Sequence, residues 1–402
     1  MPQILPHAAL ASQGFAVKLP EKFKIYEILF TKNPMSRSIS PFLRAQVGQL
    51  FLIGFEGTEA SARLRTTLSL LQPCGVILFG RNIVSALQTH ELLAQCGKSL
   101  NALALLGVDL EGGTVDRLRE VIAPAPSAAE IAASGSRKLF RRHGQIIGEE
   151  CRALGFNITF APVVDLGLPP SRKVMGSRTA SANPEQVVEY ARAFLRGLKE
   201  AGVLGCMKHF PGLGAANLDT HLQLPAIMKS WKHLWEEDLL PYRSLHREAP
   251  FVMVSHAAYP QVTRLKTPAT LSKKWTTGVL KKRIGFRGLV LSDDMEMGAL
   301  LSTAPIEVAA VESLRAGVDI LLICREVEKV WAAYESVVKE AERDWRFARM
   351  VSEKAKRIAA FKRRSGEIKR HAPPPTQKTI DRLRREIWEL SEQARVAAIP
   401  RA

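Results

Sequence analysis

Lys208-His209-Phe210-Pro211-Gly212-Leu213-Gly214 sets a lysine and a histidine beside a proline and two glycines, and Asp219-Thr220-His221 follows shortly after. Proline and glycine after an apolar run make a loop, and this loop returns a carboxylate and an imidazole two residues apart. On irregular backbone that spacing lets Asp219 accept a hydrogen bond from one ring nitrogen of His221, fixing the tautomer and raising its basicity. A histidine so held can serve as a general acid/base, a role worth about 10² to 10⁴ in rate. The same pair can equally cap backbone groups in a surface loop. Leu291-Ser292-Asp293-Asp294 closes another apolar run on two adjacent carboxylates, which are costly to bury unless they meet cations, hydrogen bonds or substrate. One of them can face a pocket as a nucleophile while its neighbour is tied down in the wall, or caps a helix resuming at Met295 to Leu301. Asp109, Arg117, Arg178, Lys208 and His209 add a charged acceptor and several donors, the set a polyhydroxylated ligand needs. His209, His221, His256 and Asp293 could instead ligate a metal, but no HxH or HExxH spacing appears and no metal is expected.

These residues need a scaffold that gathers them. Eight short apolar runs alternate with stretches of helical periodicity: Gln49 to Phe55, Gly75 to Gly80, Leu105 to Asp109, Asn157 to Asp165, Val203 to Phe210, Phe251 to His256, Leu289 to Asp294 and Ile320 to Cys324. They are apolar almost throughout, as strands buried on both faces of a parallel sheet must be. Between the fourth and fifth, Asn183-Pro184-Glu185-Gln186 supplies an N-cap, a proline at the first helical position and a glutamine to complete a capping box. Val187, Tyr190, Ala191, Phe194, Leu195 and Leu198 then share a helical face, and Gly202 closes the helix. Eight such units predict a (β/α)8 barrel as the single catalytic domain. A doubly wound open sheet is the alternative, weakened by the lack of a GxGxxG turn, since Glu111-Gly112-Gly113 has the wrong spacing. Asp109, Asp165, Lys208, His209, His256, Asp293 and Asp294 all fall at the C-terminal ends of separate runs, which a barrel brings to one mouth.

Composition bounds the rest. The 402 residues are 46% apolar and 24% charged, as expected of a globular protein, and no apolar run is long enough to span a membrane. Five scattered cysteines without CxxC spacing read as reduced core thiols, and no basic leader precedes the first apolar patches, so a cytoplasmic location is expected. Of the formal charge of +18, residues 341–402 carry +9 and residues 1–40 carry +3. A basic tail can touch nucleic acid or acidic lipid, yet neither zinc-finger nor aromatic-basic strand patterns accompany it, and no nucleic-acid partner is expected. Ala372-Pro373-Pro374-Pro375 breaks the chain before an amphipathic segment, Ile380 to Val396. The expected organisation is an N-terminal extension over 1–40, the barrel over 41–371, and a proline-rich linker with a basic helix over 372–402.

The chain resembles glycoside hydrolase family 3, and within it the single-domain bacterial β-N-acetylhexosaminidases of peptidoglycan recycling. The resemblance runs from about Leu43 to about Cys324 through GFEGTE (54–59), GVILFGRNI (75–83), VDLEGG (108–113), NITFAPVVD (157–165), KHFPG (208–212), DTH (219–221), PATLS (268–272) and LSDDMEM (291–297). It implies a retaining hydrolase working through a covalent glycosyl-enzyme, with Asp293 as nucleophile and His221, paired with Asp219, as acid/base in the place most glycosidases give a second carboxylate. Asp109, Arg117, Arg178, Lys208 and His209 match positions that grip sugar hydroxyls. The implied substrate is a muropeptide fragment with terminal β-linked N-acetylglucosamine, the implied protein a monomer, and no cofactor is implied. The nearest alternatives are a family 3 β-glucosidase, a phosphorylase of the same branch, and a catalytically silent sugar-binding barrel. Leu110, Thr114, Leu213 and Thr179-Ala180 depart from the usual Gln, Arg, His and Ser-Phe of the family's DQEGGRV, KHFPGHG and post-arginine motifs.

Overall fold

Eight parallel strands close on themselves in the computed structural model, which describes residues 41–100, 103–216, 218–220 and 223–399. They are β1 (Phe51–Ile53), β2 (Gly75–Leu78), β3 (Leu105–Val108), β4 (Ile158–Thr159), β5 (Leu204–Phe210), β6 (Phe251–Val254), β7 (Leu289–Asp294) and β8 (Ile320–Ile323). Each pairs with its chain neighbours, and β1 pairs with β8 in register, Phe51 opposite Leu321 through Ile53 opposite Ile323. Closure rules out the open doubly wound sheet and establishes the (β/α)8 barrel. Every one of the eight apolar runs contains a strand. From β1 to β6 and in β8 every strand residue but Leu106 is buried, as a cylinder filled inside and covered outside by helices requires.

The strands are shorter than their runs for local reasons. In the fourth run the ladder stops at Thr159, because Pro162 has no N–H to donate; Val163 then bridges Lys208, whose N–H reaches the Pro162 carbonyl. A short antiparallel hairpin, Leu110–Gly112 with Val115–Asp116, branches off after β3 at the barrel mouth.

Helices start where serine, asparagine or aspartate can take an orphan N–H. Ser61, Ser85, Ser127, Ser136, Asn183 and Asp344 each accept from a first-turn amide. The expected crossover helix is Pro184–Ala201, capped by Asn183 and closed by Gly202 in the left-handed region. Its capping box is not formed. Gln186 Oε1 takes the Ser181 hydroxyl at 2.6 Å, and Ser181 Oγ accepts the Asn183 N–H, so serine does the work expected of glutamine.

The described chain from Pro41 onward forms one compact unit. The amphipathic C-terminal segment is the helix Gln377–Ala397, which buries Ile380, Leu383, Ile387, Leu390 and Ala394. Arg382 bonds Glu149 at 2.7 Å on the helix Arg137–Ala153, and Arg384 donates to the Ile122 carbonyl at 2.8 Å. The expected extension over 1–40 lies outside the described residues.

Candidate active site

The polar residues at the strand ends meet at the barrel mouth. Lys208, on β5, is buried, and its ammonium sits 2.8 Å from Asp109 Oδ1 and 2.7 Å from Glu111 Oε1. Asp109 directly follows β3, and Glu111 lies in the hairpin beyond it. Glu111 also takes a bidentate bond from Arg178, both N–O distances being 2.8 Å. Burial alone would raise the Glu111 carboxyl, but Arg178 and Lys208 outweigh it and hold the group down at about 2. Burial likewise works against the Lys208 charge, and Asp109 and Glu111 overcome it, so its pKa is raised. The result is a fixed array of two carboxylates and two cations at one edge of the mouth.

His209, the next residue, turns the other way. Asp165, buried just past β4, accepts from His209 Nδ1 at 2.6 Å, from the His209 amide at 3.1 Å and from the Leu213 amide at 2.7 Å. Those bonds shape the KHFPG turn and hold the imidazole through Nδ1, leaving Nε2 for another partner. Gly212 permits the turn: its φ is +138°, and a Cβ there would meet Asp238 Cβ at 2.8 Å. Leu213 fits the same account. Its side chain is core, and its backbone still serves Asp165, so this departure from the family motif leaves the turn intact.

Asp293 ends β7 at the same mouth. Burial would raise its carboxyl, but the imidazoles of His209 and His256, the Asp294 amide at 2.9 Å and the Lys208 ammonium together hold it below the ordinary carboxylate value. Asp294 differs. Burial, together with the negative charges of Glu296 and Asp293, pushes it up to about 7. Its Oδ1 accepts the Glu296 amide at 3.0 Å, and the following helix is Gly298–Leu301, three residues later than the expected start. Two neighbouring aspartates thus occupy opposite regimes, one favoured as the anion and one as the acid.

The other expected residues are less tightly joined. Arg117 follows the hairpin with its guanidinium 6.0 Å from the Phe79 ring, and its buried Nε has no hydrogen-bond partner among the described residues. His221 lies outside the described residues. Its neighbours are seated near β7: the Thr220 carbonyl accepts the Ala299 amide at 3.2 Å, and the Asp219 carbonyl accepts from Gln223 at 3.0 Å. That backbone bond carries the 219–220 segment to the helix that follows Asp293.

Glu111 and Thr270 stand inside the VDLEGG and PATLS blocks of the sequence, but nothing in their spacing assigns either a role. A single glutamate framed by Leu110 and Gly112 was the available signal for the first. A glycine follows it for a reason: Gly112 has φ +84°, and a Cβ there would meet the Pro126 carbonyl oxygen at 2.1 Å.

Comparison with known proteins identifies the family. Residues 42–360 match the model of the glycosyl hydrolase family 3 N-terminal domain. The β-hexosaminidase of Xanthomonas oryzae pv. oryzae is 38% identical over 289 residues, covering 68% of this chain and 83% of its own. A family 3 β-N-acetylglucosaminidase from Paenibacillus sp. superposes with a TM-score of 0.81 at 30% identity, covering 88% of this chain and 68% of its own. Native NagZ from Neisseria gonorrhoeae superposes with a TM-score of 0.68 at 27% identity, covering 87% and 98%. With a domain match over most of its length and a barrel shared with family 3 structures, the chain belongs to glycosyl hydrolase family 3.

Proposed function

We propose that this family 3 hydrolase is a retaining exo-β-N-acetylglucosaminidase that removes terminal β-linked N-acetylglucosamine from peptidoglycan-derived muropeptide fragments, working as a cytoplasmic monomer. The observation that carries the reading is Asp293, a carboxylate held ionised at the mouth within the field of His209, His256 and Lys208. Its similarity to β-hexosaminidases supports the acetamido-sugar substrate. Asp109, Arg117, Arg178, Lys208 and His209 grip the sugar. Asp293 attacks the anomeric carbon and forms an ester as the glycosidic bond breaks, while His221, oriented by Asp219, gives its proton to the leaving oxygen. His221 then takes a proton from water, whose oxygen displaces the Asp293 carboxylate and restores the free enzyme with the anomeric configuration retained.

Hydrolysis of 4-nitrophenyl N-acetyl-β-glucosaminide tests this reading. Wild type should turn over and release the β-anomer first, and Asp293→Ala should lose at least about 10³ in kcat, the scale of a missing nucleophile. His221→Ala should slow an alkyl or disaccharide substrate about 10² more than the nitrophenyl one, which needs little protonation. Preference for the glucoside, accumulation of sugar 1-phosphate in phosphate buffer, or binding without turnover would each replace the proposal with a rival.

A further inference from the structure

His256 lies just beyond β6, fully buried, and both of its ring nitrogens are engaged. Nε2 is 2.9 Å from the main-chain carbonyl oxygen of Asp294. A carbonyl oxygen only accepts, so Nε2 carries a proton. Nδ1 is 2.9 Å from Thr270 Oγ1, and Thr270 is itself buried with its hydroxyl 2.8 Å from the Ser255 carbonyl. The threonine hydroxyl can donate to Nδ1, or accept from it while donating to Ser255, so the ring stays anchored in either protonation state.

The residue at the other end of this chain of bonds is Asp294. Its carbonyl is taken by His256, its amide donates to Asp293 Oδ1 at 2.9 Å, its side chain holds the Glu296 amide, and it stands opposite Leu322 of β8. The Asp294 backbone is therefore clamped on both sides of its Cα, and one clamp is the carboxylate of the residue before it. With Oδ1 taken by the Asp294 amide, the rotation of the Asp293 carboxylate is restricted and Oδ2 is the oxygen presented for attack.

On the glycosidase reading proposed above, we propose that His256, anchored by Thr270, is a positioning residue for the nucleophile: it holds the Asp294 backbone so that one oxygen of Asp293 is tied and the other is presented to the anomeric carbon. In this role His256 acts through the Asp294 backbone, beside the direct electrostatic effect of its imidazole on Asp293. It joins a threonine from the segment after β6 to the C-terminal end of β7, the neighbouring strand of the barrel.

The test uses the full-length chain and the nitrophenyl substrate, whose kcat/KM reports on the steps up to and including nucleophilic attack. His256→Leu should lower kcat/KM by about 10- to 100-fold, the scale of a misplaced reacting group. The inhibition constant of N-acetylglucosamine should stay within about twofold of wild type, because no sugar-gripping residue has changed. His256→Gln, whose amide can still donate to the Asp294 carbonyl, should recover part of the loss. Thr270→Val should lose kcat/KM in the same direction and Thr270→Ser should not. A thermal melt on each variant separates loss of fold from loss of position, and the Thr270 pair carries the test where His256→Leu fails to fold. Turnover in wild type that vanishes in Asp293→Ala, together with kcat/KM unchanged in folded His256 and Thr270 variants, would overturn the positioning role alone. Wild type without turnover would overturn the glycosidase reading and this role with it. Parallel losses in kcat/KM and inhibitor binding, unrelieved by Gln or Ser, would mean that His256 is only structural.

Discussion

Glu111 shows how one side chain governs two others. Its carboxylate is the shared counter-ion of Arg178 and Lys208, and only Asp109 would remain beside Lys208 if it were neutral. Removing one member of a buried ionic group typically costs about 3–5 kcal/mol, because the remaining charges lose compensation. Glu111→Gln keeps the shape and removes the charge. Its KM should rise about tenfold or more with a lower melting temperature, checked by steady-state kinetics and a thermal melt; an unchanged KM would show that the sugar grip does not depend on this carboxylate. The sign of the pH effect follows from the depressed pKa. The stabilisation from ionised Glu111 is present above its ordinary value of 4.5 and is lost as pH falls toward about 2. Wild type should lose stability across that acid window more steeply than Glu111→Gln, as read from melts at stepped pH.

At the scale of elements, the C-terminal ends of the strands carry the residues proposed for the chemistry and the opposite end carries the fastening. Asp319, immediately before β8, is buried and collects Lys281 at 2.9 Å, Arg357 at 3.2 Å and Lys354 at 3.5 Å, while its Oδ2 accepts the Val290 amide at the start of β7. Burial would raise this carboxyl, yet the three cations outweigh it and keep it below the ordinary value. Lys354 and Arg357 belong to the helix Trp345–Arg364, so a single aspartate ties that helix to the bottom of the barrel. Asp319→Asn should destabilise by about 3 kcal/mol or more, seen as a lower urea midpoint, with kcat unchanged in the folded fraction because the site is at the other end. A midpoint equal to wild type would show that the cations find other partners.

Over the whole molecule, the basic C-terminal segment is an integral helix of the shell. The sequence gathers half of the charge excess over residues 341–402, of which this helix is the last part, and the fold turns two of its arginines into fastenings, Arg382 to Glu149 and Arg384 to the Ile122 carbonyl. Its apolar face buries four large aliphatic residues, each worth about 1.5–3 kcal/mol when fully buried. Deleting residues 377–402 should therefore lower the melting temperature by several degrees and expose apolar surface that binds a hydrophobic dye, while the remaining folded protein keeps its turnover. An unchanged melt would mean that the helix adds nothing to the barrel.

Much of this protein is legible in one dimension. Apolar runs ending in Asp109, Lys208 and Asp293 announce strands and their catalytic ends together, because a buried strand must be apolar and charge can appear only where it leaves the core. The cap at Asn183 is legible because it is local chemistry, a side chain and an amide a few residues apart. Glu111 and Arg178 are 67 residues apart, Lys208 and Asp109 are 99 apart, and His256 meets the Asp294 carbonyl across 38. No local rule pairs them. Hydrogen bonds and Coulomb attraction depend on distances of a few ångströms through space, and only closure of the barrel brings those groups within reach. The amino-acid order by itself determined the eight-unit alternation, the family and which residue types stand at the mouth. The tertiary structure decided which carboxylate is paired, which aspartate stays ionised and where the C-terminal helix is seated, because each depends on neighbours that the chain supplies from elsewhere.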